Sequence, residues 1–258
     1  MVSLPIVNLW EKKSLVLEFS LLNIKSRIKG TYLGLLWAVL EPLLMTGLMY
    51  AVFINLRTRG DELFAIYLLT GIMLYHTFVK GTSIGLTSLR SNKNILESLK
   101  IRKEFFPVTT TTSTAIQLAV KMVVFFSLMP IIGYIPTLTV LLFPIVLVFL
   151  LALILGMTYL LSIIYAHARD IQNIWMMIVF ALFFLTPIIW QLNEVEGILL
   201  EIHKINPMGQ VVELGHKLVF DEIPPINDWA YAGALCFGIL FFGYFVFQKF
   251  ERGIVEDL

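Results

Sequence analysis

The chain has 258 residues, of which 58% are hydrophobic and 14% are charged, and its formal net charge is +1. A soluble protein of this length needs a larger charged surface, so the composition excludes an ordinary soluble globular protein, and we expect no nucleic-acid partner. The apolar residues form six stretches that reach or nearly reach the roughly 20 residues with which a helix crosses a bilayer. The sequence therefore predicts an all-α integral membrane protein whose single transmembrane domain covers residues 1–258. The six predicted spans are residues 32–56, 63–79, 108–133, 138–165, 171–190 and 229–248, with a tail to residue 258.

Residues 1–30 have the pattern of an amphipathic helix. Leu17, Leu21, Ile24 and Ile28 recur at spacings of 4, 3 and 4, which puts them on one helix face, while basic residues occupy other positions. This pattern predicts a helix in the membrane interface, with its lysines near anionic lipid headgroups. A solvated leader is the alternative. The segment is too rich in charge to be a cleavable signal peptide.

The distribution of lysine and arginine predicts the orientation of the chain. Fourteen of these residues lie in the amino-terminal segment, the connection after span two, the turn after span four and the tail, whereas four lie in the other connections. Positively charged loops are retained on the cytoplasmic side, so we expect both termini to be cytoplasmic.

The predicted cytoplasmic connection after span two is long enough to contain a helix over residues 91–104. Its mixed charges and aromatic end suit a coupling helix that docks into a soluble ATPase, although a purely topological positive anchor fits the same residues. The candidate docking residues are Lys93, Glu97, Lys100, Arg102, Lys103, Glu104 and Phe105.

Residues 191–228 form a long connection on the predicted outer side. Two short amphipathic helices separated by Asn206-Pro207 fit its pattern, because a proline and the residue before it disfavour a continuous helix. Such helices are too short to span, so we predict a re-entrant hairpin that gates the outer exit. An ordinary external loop is the alternative.

Two ionisable residues, Glu41 and Lys121, lie inside predicted spans, where charge is costly and indicates function. Counted from the cytoplasmic side, their depths allow the long lysine stem to reach the carboxylate. We therefore expect either a Glu41–Lys121 ion pair or a Lys121 that faces a water-filled channel. His76 and His167 lie near the predicted cytoplasmic surface and fit ordinary interfacial residues.

Three motifs resemble those of the ABC type-2 exporter permeases. Within that family, they look most like the branch that exports O-antigen, capsule and teichoic-acid polysaccharides. The first is residues 27–37 (RIKGTYLGLLW) followed by Glu41-Pro42, which resembles the start of the first span. The second is Asn94-Ile95-Leu96 leading to Phe105-Phe106-Pro107, and the third is Asn206-Pro207. The chain departs from the branch after Pro107, where Val108 and a threonine run replace a basic and acidic pair.

The resemblance implies a homodimer of six-span permeases in a bacterial inner membrane, joined to two ATPase subunits and moving a lipid-linked polysaccharide outward. The sequence contains no G-x-x-x-x-G-K-[S/T] loop, so ATP and magnesium would be bound by the partner subunit. We expect no catalytic residue, cofactor or metal in this chain.

Aromatic side chains in spans one, two and five are the candidates for a sugar path. Aromatic faces stack loosely on the apolar faces of sugars, and a path with few charges releases its cargo. The resemblance implies that these three spans line the path, whereas interfacial belts and lipid-facing filler are the alternative. The candidates are Trp37, Tyr50, Phe53, Tyr67, Trp175, Phe183 and Trp190.

Three other functional classes fit less well. An ABC permease for a small lipid or drug shares the predicted fold but needs no continuous glycan path. A membrane enzyme would need clustered acidic residues, for which only Asp170 and the pair Asp221-Glu222 are candidates. A secondary carrier is disfavoured because no internal repeat is evident.

Overall fold

A computed structural model describes residues 13–30, 32–54, 63–98 and 102–251, and within these ranges the chain is helical without any β-strand. Turns and three short 3₁₀ segments join the α-helices. The helices are α1 (Lys13–Ile28), α2 (Trp37–Phe53), α3 (Phe64–Leu86), α4 (Ser88–Ser91), α5 (Lys93–Ser98), α6 (Phe105–Ile131), α7 (Phe143–His167), α8 (Ile171–Phe184), α9 (Ile198–Ile205), α10 (Pro207–Val219) and α11 (Ile226–Phe250).

Four helical segments in the described part of the chain are long and apolar enough to cross a membrane. They are α3, α6, α11 and the segment Leu138–His167, in which a 3₁₀ turn precedes α7. The first and fifth predicted spans correspond to shorter apolar helices, α2 with 17 residues and α8 with 14 residues. Fourteen residues rise about 21 Å, which is less than the hydrocarbon layer of about 30 Å.

The ends of these helices correct several predicted bounds. The stretch predicted to reach Trp190 stops being helical at Phe184, because Pro187 lacks the N–H that would continue the helix. In contrast, α3 continues seven residues beyond the predicted end at Val79. Pro107 does not delay the start of α6, since it occupies the first turn, where backbone N–H groups have no helical acceptor.

Helices α7 and α11 pack with their backbones in close contact, because each has a glycine at the crossing point. A Cβ atom added to Gly243 would lie 2.3 Å from the carbonyl oxygen of Gly156. Small residues permit such backbone contact between apolar helices, where dispersion replaces the hydrophobic effect as the source of attraction. On the other side of α7, helix α3 supplies the most deeply buried surface of the bundle, with Phe64, Leu68 and Leu74 fully buried.

Helix α1 packs on the amino-terminal half of α6. Ser20 is buried, donates a 3.0 Å hydrogen bond to the carbonyl of Thr109, and its own carbonyl accepts from Ser113 Oγ at 3.0 Å. The predicted apolar stripe is divided: Ile24 faces the bundle, while Leu17 and Leu21 are half-exposed. This arrangement leaves an exposed apolar strip beside the packed face, and the interfacial position of α1 stays a prediction.

Helices α9 and α10 form the two-helix arrangement predicted around Asn206-Pro207. The Asn206 side chain accepts a 3.0 Å hydrogen bond from the backbone N–H of Met208, and it donates to Leu185 O and Thr186 Oγ1. It therefore caps α10 while Pro207 fills the first helical position. The turn lies in a pocket with Leu153, about 15 Å along α7, so it reaches the middle of the bundle.

The bundle has two distinct ends. At the basic end, α1, α4, α5 and the start of α6 meet the carboxyl ends of α3, α7 and α11, as the Tyr159–Phe247 ring contact at 5.0 Å illustrates. At the hairpin end, the end of α10 meets the starts of α3 and α7. There Tyr134 donates a 2.6 Å hydrogen bond to Val219 O.

Candidate functional site

Charged side chains converge near the basic end, between α2, α3 and α6. The Glu41 carboxylate lies 3.1 Å from His76 Nε2 and 3.1 Å from Lys80 Nζ, which are one helical turn apart on α3. Arg27, at the end of α1, and Lys121, on α6, line the same cavity of about 240 Å³. We call this cavity the basic pocket. It holds three cationic side chains and one carboxylate.

The predicted Glu41–Lys121 ion pair is wrong, because the charged side chains that contact Glu41 are those of His76 and Lys80. Lys121 is only 4% exposed, and its ammonium donates a 3.1 Å hydrogen bond to Thr77 Oγ1. Helix α2 begins at Trp37 and not at the predicted start, residue 32, so Glu41 lies only about one turn inside it. The side chains of α3 are the ones that reach its carboxylate. Sequence reasoning missed His76 and Lys80 as partners because their face of α3 could not be inferred from spacing alone.

A second cavity, of about 390 Å³, adjoins the basic pocket and shares Arg27 and Ile84 with it. We call it the polar pocket, because hydroxyl and amide side chains dominate its lining. The Asn92 amide donates a 2.8 Å hydrogen bond to Ser88 O and closes the turn between α4 and α5. The other polar residues of the lining are Asn23, Ser26, Thr87, Ser91 and Thr110.

The predicted path residues of α2 and α3 fall into two groups. Trp37 is 47% exposed at the start of α2 and lines the basic pocket, while Tyr50 and Phe53 are half-buried. Tyr67 belongs to the core: its ring stacks on His216 with centroids 3.7 Å apart, and its hydroxyl donates to the carbonyls of Pro187 and Trp190. In the single chain, Tyr67 therefore positions the hairpin, and the 6% of it that is exposed lines a cavity at the hairpin end.

The predicted path residues of α8 and the following turn are also divided. Trp175 is 5% exposed and donates a 3.1 Å hydrogen bond from its indole N–H to Thr82 Oγ1, so it holds α8 against α3. Phe183 is half-buried, edge-on to Tyr75 at 5.5 Å. Trp190 donates to Phe184 O at 3.0 Å. These three side chains therefore have different surroundings, and Trp190 lies beyond the end of α8.

The predicted coupling helix over residues 91–104 is wrong as a continuous element. The chain forms α4 and α5, which Asn92 separates, and residues 102–104 form a turn before α6. Lys93 and Glu97 lie in α5, and Arg102 and Lys103 are half-buried, whereas Lys100 lies outside the described residues.

Two of the predicted docking residues are buried. Phe105 is fully buried edge-on to Phe19 of α1, with ring centroids 5.2 Å apart. Glu104 is also buried and accepts hydrogen bonds from Arg102, at 3.0 Å, and from Gln248 of α11. Burial raises the pKa of Glu104, and the neighbouring guanidinium opposes that rise. Both residues therefore join α6 to its neighbours and do not form a docking surface.

The hairpin end contains polar contacts that sequence reasoning did not identify. His216 is buried, and its Nε2 lies 3.0 Å from Tyr67 O. Nearby, Asp221 adopts a left-handed backbone conformation with φ of 64° and accepts from the backbone N–H and the hydroxyl of Thr137. These hydrogen bonds lower the pKa of Asp221. They tie the loop before α7 to the end of α10.

Comparison with known proteins identifies relatives over nearly the whole chain. A family described as ABC-2 type transporter matches residues 21–220. An O-antigen export system permease protein, RfbA, from Myxococcus xanthus is 23% identical over 97% of each chain. Two RfbA permeases of Klebsiella pneumoniae are each 20% identical, one over 92% and one over 74% of both chains.

Proposed function

Because the chain belongs to the ABC-2 type transporter family, we propose that it is the permease of an ATP-driven exporter that moves a lipid-linked polysaccharide across the inner membrane. The observation that carries this proposal is the similarity to O-antigen export permeases over 97% of the chain. It covers the apolar helices, the basic end and the α9–α10 hairpin together. The cargo would be similar in class to the one named for those relatives.

In this proposal the membrane is crossed six times. The four long apolar helices cross fully, and α2 and α8 cross with the help of the turns that flank them. The basic end faces the cytoplasm with both termini, because lysine and arginine are concentrated there. The α9–α10 hairpin would enter from the outer side and return, which agrees with its turn lying beside the middle of α7.

The export path would run along a seam between two copies of the chain. Apolar side chains on α2 and α8 are exposed, including Leu44, Leu48, Met177 and Phe180, so these helices have surface available for a partner copy or for lipid. Within that seam, the exposed parts of the half-buried Tyr50 and Phe53 would offer aromatic surface on which sugars stack. Tyr67 and Trp175 would support the path from the core.

Energy would come from a separate ATPase subunit that binds ATP and magnesium. The α4–α5 segment and the turn at Arg102 and Lys103 are the cytoplasmic surfaces that such a subunit would move. Lys103 donates to Glu251 O at the end of α11, and Glu104 accepts from Gln248. Movement of this turn would therefore be transmitted directly to α6 and α11.

The test is ATP turnover by the permease and its ATPase subunit, reconstituted in lipid with purified lipid-linked polysaccharide or with the same lipid lacking the glycan. We expect a several-fold stimulation that requires the glycan and is lost in Tyr50→Ala. Phe245→Ala is the matched control, since this ring is exposed and lies on α11, which is not one of the two helices of the proposed seam. Equal stimulation by the glycan-free lipid would favour a permease for small lipids. Failure to bind any ATPase subunit would overturn the assignment.

A further inference from the structure

The charges of the basic pocket are not balanced by the protein. Glu41 is the only carboxylate among the described residues of its lining, and Lys80 already contacts it at 3.1 Å. Arg27 makes no side-chain hydrogen bond or ion pair within the described part of the chain. Lys121 donates its hydrogen bond to a neutral threonine hydroxyl, and the carboxylate that attracts it, Glu41, is the one that Lys80 already contacts. The described lining therefore carries an excess of two positive charges when His76 is neutral.

This imbalance is costly where Lys121 lies. A buried ammonium loses its hydration, and one hydroxyl compensates only part of that loss. Neither ring nitrogen of His76 has a hydrogen-bond partner of good geometry, although Nε2 lies close to Glu41. An anion in the cavity would satisfy Arg27 and Lys121 together and would leave the Glu41–Lys80 pair in place.

The surroundings of the pocket indicate which kind of anion fits. Its own lining includes apolar side chains, among them Ile28 and Trp37, which is 47% exposed. Through Arg27 and Ile84 it adjoins the polar pocket with its hydroxyl and amide lining. The cationic pocket therefore has apolar groups in its wall and a polar pocket beside it. A molecule that joins a lipid tail through phosphate to a sugar has groups that match all three surfaces.

We propose that the basic pocket binds the phosphate group that joins lipid to glycan in the cargo, and that the polar pocket contacts the adjoining sugar. Arg27 offers a planar fork of donors for phosphate oxygens from α1, and Lys121 acts as a point charge from α6. Asn23, Ser26 and Asn92 offer donors and acceptors to sugar hydroxyls. The identity of the lipid as cargo rests on the proposed function, whereas phosphate binding does not.

The experiment measures binding to the full-length chain in nanodiscs of neutral phosphatidylcholine. The probe is farnesyl diphosphate, followed by ³¹P NMR line broadening and by calorimetry, with farnesol as the probe that lacks phosphate. We expect saturable binding of the diphosphate, weakened at least tenfold in Arg27→Gln and in Lys121→Met, and partly restored in Lys121→Arg. Lys25→Gln is the matched control, because this exposed lysine lies on the same helix as Arg27 outside the pocket.

Three results would overturn the proposal in different ways. Unchanged affinity in Arg27→Gln and Lys121→Met, relative to Lys25→Gln, would exclude the pocket as the site. Arg27 is exposed on α1, so its variant is informative even where Lys121→Met fails to fold. Equal competition by inorganic diphosphate would mean that the pocket takes free phosphate. Equal competition by phosphatidylglycerol in the nanodisc would mean a bilayer headgroup site.

The outcome is separable from that of the proposed function. Binding is measured on this chain without an ATPase, so it stands even if turnover does not respond to a glycan. A glycan-stimulated exporter whose pocket variants bind the diphosphate normally would keep the proposed function and lose the phosphate site. Diphosphate binding that is lost in the pocket variants, combined with turnover that does not respond to a glycan, would keep the phosphate site and remove the support for the proposed function.

Discussion

The close contact between α7 and α11 makes a quantitative prediction for Gly243→Ala. The added Cβ would lie 2.3 Å from the carbonyl oxygen of Gly156 and 3.0 Å from its carbonyl carbon. These are backbone atoms, so no side chain can rotate away and the helices must separate. Insertion of one carbon into a well-packed contact costs about 1–3 kcal/mol, and we expect a loss of stability in this range.

Gly238→Ala is the matched control on the same helix. A Cβ at Gly238 would have nothing within 4 Å. Alanine is favoured over glycine in a helix interior by about 1 kcal/mol, and this gain applies to both variants. The difference between the two variants therefore isolates the cost of separating α11 from α7.

The single cysteine of the chain provides the assay. Cys236 is fully buried on α11, so a thiol-reactive fluorogenic maleimide reports its exposure as the detergent-solubilised protein is heated. We expect the midpoint of Gly243→Ala to lie several degrees below that of Gly238→Ala, at roughly 2–4 °C per kcal/mol for a chain of about this length. Equal midpoints would refute the close approach of the two helices.

Three further predictions concern hydrogen bonds made by one side chain each. Trp175→Phe should lower the free energy of unfolding by about 1 kcal/mol, and with it the thermal midpoint, because Thr82 loses the indole donor. An unchanged midpoint would contradict this role. Asn206→Ala should remove the cap of the hairpin helix at a similar cost of about 1 kcal/mol and speed limited proteolysis of the hairpin; equal cleavage rates would count against the cap. Asp221 has a lowered pKa, so the stability from its bonds to Thr137 should be present above about pH 4 and be lost as the pH falls further. Asp221→Asn should show less loss of midpoint than wild type between pH 5 and pH 3, and parallel losses would refute the contribution.

Much of the architecture could be predicted from local sequence. Long apolar stretches form the helices because a backbone in lipid must satisfy its own hydrogen bonds. The hairpin could be predicted at Asn206-Pro207, because a capping side chain followed by a proline starts a helix wherever it lies in the fold. The family could be predicted from residues 27–37 and from the absence of a phosphate-binding loop.

The lateral partners of each side chain were decided only by the tertiary structure. Helical spacing shows which residues share a face, but the rotation and depth of the neighbouring helix determine what that face meets. Glu41 therefore contacts His76 and Lys80 instead of Lys121, and Trp175 is buried against α3. Phe105 was predicted to dock because it is an aromatic residue at the end of a charged segment, yet its ring packs between α1 and α6. The sequence by itself determined where the apolar helices form, whereas packing determined which charges and rings remained accessible, because burial depends on neighbours distant in the chain.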